Sequence, residues 1–140
     1  MACKKKAENC IVKDDLTEVL NSVLESDLTI IATPVYYGDV SSQLKGFIDR
    51  TYSYLPGDFF KKHNSRLTPG KQIVLAITQG DPNQKHFSDV FKRYEFFFKW
   101  HFKKVHLIRG CGFYEENSIL DNSKLLTSAE NLAEQLFQEI

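Results

Sequence analysis

Two adjacent tyrosines, Tyr36 and Tyr37, followed by Gly38 and Asp39, are the residues whose types and spacing best suit ligand chemistry. Their rings offer flat apolar faces with a polar tip, and the glycine permits close backbone approach. They follow Thr33, Pro34 and Val35 and precede a small polar pair, Ser41 and Ser42. Thr78-Gln79-Gly80-Asp81-Pro82-Asn83 forms a second polar loop, and Gly110-Cys111-Gly112-Phe113-Tyr114 a third. On the residues alone, contact with a ligand and packing on the end of a sheet both remain open for the tyrosine pair. No Ser-His-Asp set and no carboxylate pair is visible. Asp39 and Asp49 flank the first loop, but a charged helix face accounts for Asp49, so no catalytic acid or base is named. None of His63, His86, His101 and His106 has a second ligand at metal spacing. Cys3 and Cys10 supply two thiols, short of a four-ligand site, and read as free cysteines; Cys111 reads as a small packing residue. No metal site is expected.

The elements that must position these loops follow from hydrophobic pattern. Residues 28–32 are apolar without alternation, which predicts a strand covered on both faces. Pro34 cannot donate to a ladder and holds Thr33 away from helix, so the strand ends there. Ser41 or Ser42 can cap the helix that follows, whose Leu44, Phe47, Ile48, Thr51, Tyr52 and Leu55 fall at helical spacing. An earlier helix starts at Asp14 and Asp15, which favour its positive end, and buries Leu16, Val19, Leu20, Val23 and Leu24. Residues 56–70 read as a loop with a short turn, bounded by Pro56-Gly57 and Pro69-Gly70. Residues 72–78 hold a second buried strand. A long helix over about 86–103 places Phe87, Val90, Phe91, Tyr94, Phe97, Phe98 and His101 on one face. Phe96, Trp100 and Phe102 lie opposite and suggest an interface with a second subunit. A third strand spans 105–108. A last helix from about Ser123 presents Leu125, Leu126, Ala129, Leu132, Ala133, Leu136, Phe137 and Ile140.

Helix, strand, helix, strand, helix, strand, helix implies an α/β fold with a parallel sheet and right-handed crossovers. The three strand-to-helix loops then share one sheet edge, where ligands of open α/β sheets bind. One domain over 1–140 suffices for a chain of 140 residues. Its zero net charge suggests neither a nucleic-acid nor a membrane-surface partner. The basic stretch Lys99 to Arg109 divides between a helix end and a strand, which also speaks against nucleic acid. No apolar run is long enough to span a bilayer and no apolar core follows the N-terminal Met-Ala-Cys-Lys-Lys-Lys, so neither membrane nor secretion is expected. An odd cysteine count, three, points to a reducing, cytoplasmic compartment.

The stretch TPVYYGDVSSQLKGFIDR resembles the flavin-ring loop of the NAD(P)H-dependent FMN reductases, a flavodoxin-fold family of which the iron–sulfur flavoproteins are a branch. Cys3, Cys10 and Asp14-Asp15 resemble the tail of that family's cysteine-rich loop; Thr78-Gln79-Gly80 resembles the second flavin loop, and Arg109-Gly110-Cys111-Gly112 the exit of the last strand. The resemblance implies that Pro34, Val35, Tyr36, Tyr37 and Gly38 contact the isoalloxazine ring, with Thr78, Gln79 and Gly80 flanking its other side. It implies an FMN-dependent oxidoreductase taking hydride from NAD(P)H and passing electrons to a small-molecule acceptor. Counterparts of the family's opening strand, phosphate loop, helix and second strand are absent from this sequence. The expectation is therefore a flavodoxin-like three-layer sandwich, shortened at its N-terminus. Residues 28–32 would form an edge strand that pairs with another chain, as in a homodimer or larger homo-oligomer, or is covered by residues 1–13. A non-catalytic, FMN-free subunit or remnant is the alternative. Zero net charge speaks against a one-electron carrier like flavodoxin.

Overall fold

In the computed structural model, which describes residues 2–4, 10–115 and 118–139, three strands form one parallel sheet in the order β1-β2-β3. β1 is Leu28–Pro34, β2 is Gln72–Gln79 and β3 is Lys104–Cys111. The register aligns Ile31 with Leu75 and Leu107, and Thr33 with Ile77 and Arg109. Among the described residues five α-helices accompany the sheet: α1 Leu16–Glu25, α2 Ser42–Arg50, α3 Phe59–Lys62, α4 Ser88–Phe98 and α5 Ser123–Glu139. A 3₁₀ turn, Thr51–Tyr54, extends α2, and α3 is one turn within the expected 56–70 loop.

The strands alternate their side chains between two faces. One face carries Ile31, Ile73, Leu75, Ile77 and Val105. It packs against Leu20 and Val23 of α1, Phe47 of α2, and Val90, Phe91, Tyr94 and Phe98 of α4. This is the principal core, and Phe98, Ile73, Leu75, Ile77 and Val90 in it are almost wholly excluded from water. α5 lies on the other face. A Cβ at Gly110 would meet Leu125 at 3.4 Å, and Glu139 reaches Lys104 at 2.6 Å and Gln72 at 3.3 Å. α5 thus runs over β2 and β3, burying Leu136.

That placement corrects the expectation of a first strand covered on both faces. Ile30 is 67% exposed and Ala32 is exposed, because among the described residues nothing overlies that face of β1. Among the described residues β1 is an edge strand, as the resemblance to the FMN reductases implied. The stretch expected to cover it includes residues 5–9, which lie outside the described residues, as does Ile140 of the last helix face.

Element ends differ from the sequence expectation where backbone conformation, not periodicity, decides. α4 starts at Ser88 because Phe87 sits in the left-handed region at φ 56°, which no helix continues through. It stops at Phe98, and the chain turns through Lys99 to His101 so that Phe102 swings inward against Phe98. Phe102 is therefore buried in the core, not on an interface, while Phe97 of the expected core face is 40% exposed. α1 is not capped by the side chain of Asp15. The N–H of Asp14 donates to Thr17 Oγ1 at 3.2 Å, and the Asp14 carboxylate instead pairs with Arg50 at 2.7 Å. Ser41 does cap α2, accepting from the Leu44 N–H at 3.3 Å.

Candidate functional site: the loops at the carboxyl ends of the strands

β1 delivers the chain into a two-residue hairpin. Tyr36 and Asp39 exchange both backbone bonds, at 2.8 and 3.0 Å, around Tyr37 at φ 49° and Gly38 at φ 78°. Two successive positive φ values define a type I′ turn, the geometry that suits a tight hairpin. Gly38 meets that demand without strain. Tyr37 is a bulky residue in the left-handed region, a conformation costing on the order of 1 kcal/mol. Its side chain is fully exposed and that of Tyr36 is 63% exposed, so neither ring is held there by packing.

The base of the hairpin is clamped. Thr33, buried beneath it, accepts the Ser41 N–H at 3.1 Å while its own hydroxyl donates to the Pro34 carbonyl at 2.9 Å. The Val35 N–H donates to the Thr78 carbonyl at 2.7 Å, fastening the exit of β1 to that of β2. On the far side, Asp39 Oδ1 accepts the hydroxyl of Tyr94 at 2.5 Å and the Val40 N–H at 2.8 Å, and Oδ2 lies 3.5 Å from Arg93. Partial burial opposes ionisation of Asp39, but the bonds from Tyr94 and Val40 outweigh it and hold the carboxyl below the usual range.

The second loop is held by bonds among residues the sequence named only as parts of separate loops. Arg109 stacks its guanidinium 4.2 Å above the Phe91 ring. It donates to Gln79 Oε1 at 2.6 Å and to the carbonyls of Gln84 and His86 at 2.7 Å each. Its Nε is buried with no partner among the described residues. Gln79 Nε2 donates to the carbonyls of Asp81 and Asn83. Asp81 in turn accepts the Asn83 N–H at 2.8 Å and faces His86 Nδ1 at 2.5 Å. These bonds from His86 and Asn83 hold the Asp81 carboxyl low. A signal for Arg109 was present in its register: it is a lone cation on the strand face that carries Val105 and Leu107, opposite Ile77.

Of the eight residues the sequence proposed, Tyr36 and Tyr37 stand out into solvent, and Pro34, Val35, Gly38, Thr78 and Gly80 are half-buried around them. Gln79 is only 3% exposed, with its amide committed to the 81–86 loop, so it shapes the second loop from beneath. Gly80 is overlaid by Tyr114 of the third loop, whose ring a Cβ at that position would meet at 2.7 Å. The β2 exit is tied to β3 through Gln79 O, which accepts from Gly112 and Phe113. All three loops therefore meet at one edge. The N–H groups of Tyr37, Gly38 and Gly80 have no partner among the described residues.

A flat heteroaromatic ring needs such a surface: aromatic faces to lie against and free backbone donors at its polar rim. A separate groove of about 350 Å³ runs between α2 and α4, lined by Tyr52, Phe97 and Trp100. Cys10 is half-buried, its sulfur accepting the Arg50 Nε–H at 2.9 Å. Among the described residues, no three His, Cys, Asp or Glu side chains converge as a metal site, and no helix is long and apolar enough to cross a membrane.

The fold is that of the flavodoxin-like α/β proteins. It superposes on the Trp repressor binding protein of Bacillus subtilis with a TM-score of 0.63 and 26% identity, over 84% of this chain and 70% of that one. An FMN-dependent NADH-azoreductase of Bacillus anthracis, crystallised with FMN, shares the fold at a TM-score of 0.62 and 17% identity, over 84% and 61% of the two chains. Residues 1–94 match the family model described as NADPH-dependent FMN reductase. The chain belongs to that family. An iron–sulfur flavoprotein of Methanocaldococcus jannaschii is 49% identical over 81 residues, 58% of this chain and 38% of the relative. One from Archaeoglobus fulgidus is 48% identical over 52 residues, 37% and 23% of the two chains. The chain thus spans well under two thirds of the length of these curated relatives.

Proposed function

We propose that this protein is an FMN-dependent oxidoreductase that takes hydride from NAD(P)H and passes electrons to a small-molecule acceptor. The observation that carries the reading is the strained, clamped hairpin. It spends backbone energy to hold two phenol rings in water, beside unpartnered N–H groups, at the sheet edge where α/β folds bind ligands. Its residues fit the ring of FMN. Tyr36 and Tyr37 offer faces, Pro34 and Val35 an apolar base, and the N–H groups of Tyr37, Gly38 and Gly80 donors for the polar rim. Bound there, FMN would supply the redox chemistry. The chain's part is to orient the ring and keep water off one face.

The partner we propose is a second copy of the chain. Phe96, Phe97 and Trp100 pack edge-to-face in one aromatic cluster on α4 and the turn after it, with Phe96 and Phe97 exposed and Trp100 half-buried, a patch suited to an interface. The three cysteines suit a reducing cytoplasm. The test is to titrate the purified protein with FMN and then add NADPH without oxygen. Saturable quenching of flavin fluorescence followed by bleaching of the yellow colour is expected. Failure to bind FMN would favour the alternative, a non-catalytic subunit without FMN.

A further inference from the structure

The hairpin is fastened at a point remote from its aromatic tip, and that fastening belongs to a different element. Tyr94 is a core residue of α4, 2% exposed, whose ring packs with Val90, Phe91 and Phe98 beneath β2. Its hydroxyl is the one polar atom it brings to the apolar layer, and it ends on Asp39. The same oxygen of Asp39 accepts the Val40 N–H, so one carboxylate joins the α4 core to the backbone just after the turn. Arg93, the neighbour of Tyr94, holds the other oxygen from the solvent side and is itself tied to Asp89 at 3.1 Å. Among the described residues the tip has no such polar fastening: Tyr36 and Tyr37 are out in water, and the Phe87 ring lies against Gly38, 3.5 Å from where a Cβ would stand. Of the described contacts, those at Thr33 and Val35 fix where the hairpin starts; Asp39 fixes where it returns. A type I′ turn carrying a strained Tyr37 needs both ends held, since release at either end lets the backbone relax out of the left-handed region.

We propose that Tyr94 and Asp39 are positioning residues for the ring-binding hairpin, a latch through which α4 sets where Tyr36 and Tyr37 stand. The inference rests on the reading of that hairpin as the FMN platform, but the latch itself can be measured without FMN. Tyr94→Phe removes the hydroxyl and keeps the core ring. Asp39→Asn keeps an acceptor for both donors and removes the charge. Asp39→Ala removes the acceptor. Amide hydrogen exchange on the FMN-free chain reads the latch directly, through the N–H groups of Tyr36 and Asp39, which the turn bonds protect.

Exchange at those two amides should speed about tenfold in Tyr94→Phe and further in Asp39→Ala, stay near wild type in Asp39→Asn, and be unchanged in β2 for all three. FMN dissociation constants should follow the same order, with about tenfold weaker binding in Tyr94→Phe and recovery to within about threefold in Asp39→Asn. Exchange at Tyr36 and Asp39 that is the same in Tyr94→Phe as in wild type overturns the latch. Loosened exchange with unchanged FMN affinity overturns its link to the site. Wild type that binds no FMN overturns the functional reading, and the exchange result then decides the latch alone.

Discussion

Acid should weaken this fold through one histidine. His101 lies in the turn after α4, edge-on to Tyr54 at 5.6 Å and Phe102 at 6.5 Å, with Nδ1 against Ser65 Oγ at 3.1 Å. Burial, helped by the positive charge of Lys4, pushes its pKa down from 6.5 to about 4. The unfolded chain therefore binds a proton between those values that the folded one refuses. Stability is fully present above pH 6.5 and is lost as pH falls toward 4. Evaluating that linkage between pH 7.5 and 5 gives a loss of about 2 kcal/mol, a large part of a typical margin of about 5 to 15 kcal/mol. The carboxylates held low by partners, such as Asp14 through Arg50 and Asp81 through His86, lose their stabilisation only as pH falls below their ordinary values near 4. The window above pH 5 is thus free of them. Urea unfolding of wild type and His101→Gln at pH 7.5 and 5 is the assay. Wild type should lose about 2 kcal/mol more than the variant between the two pH values, whatever the variant costs at pH 7.5. Equal losses in the two proteins would refute the claim that a buried neutral imidazole is the acid-sensitive element.

Two further outcomes follow from the open end and open edge of the sheet. Tyr37→Asn places at φ 49° a residue that accepts the left-handed region, so urea stability should rise by about 0.5 to 1 kcal/mol. The same change removes an aromatic face, so FMN affinity in a fluorescence titration should fall; a variant that gains both would disconnect the strain from binding. Ile30→Asp alters a side chain that is 67% exposed, and should leave the monomer's unfolding free energy within about 0.5 kcal/mol. A larger loss, or a drop in sedimentation coefficient caused by this change alone, would mean that β1 is covered by another chain in solution.

The order of elements could be read from the chain because three apolar runs are separated by amphipathic stretches, and those patterns respond to burial in a layered fold. The parallel sheet came from that logic and the cap at Ser41 from residue type, while the edge position of β1 was what the resemblance to the FMN reductases implied. Three kinds of feature did not. The exposed face of Ile30 and Ala32 is hidden in a continuous apolar run, because such a run does not say how many helices cover it. The ends of α4 depend on Phe87 adopting a left-handed backbone, which no hydrophobic pattern encodes, and the same misjudged end put Phe102 outside the core. The network of Arg109, Gln79 and Asp81 is tertiary: its partners are up to 30 residues apart and meet only when β2 and β3 are in register. At the candidate site, Tyr36, Tyr37 and Gly38 stood out by type. That Gln79 points inward, and that Tyr94 holds Asp39 from 55 residues away, required the fold.

The most direct measurement is FMN titration of the purified chain beside a Tyr36→Ala, Tyr37→Ala double variant. The account predicts one saturable site per chain in wild type and binding at least tenfold weaker in the variant, with equal thermal stability. Equal affinity in the two proteins, or no binding by wild type, would contradict the claim that the paired phenols at the end of β1 hold a flavin ring.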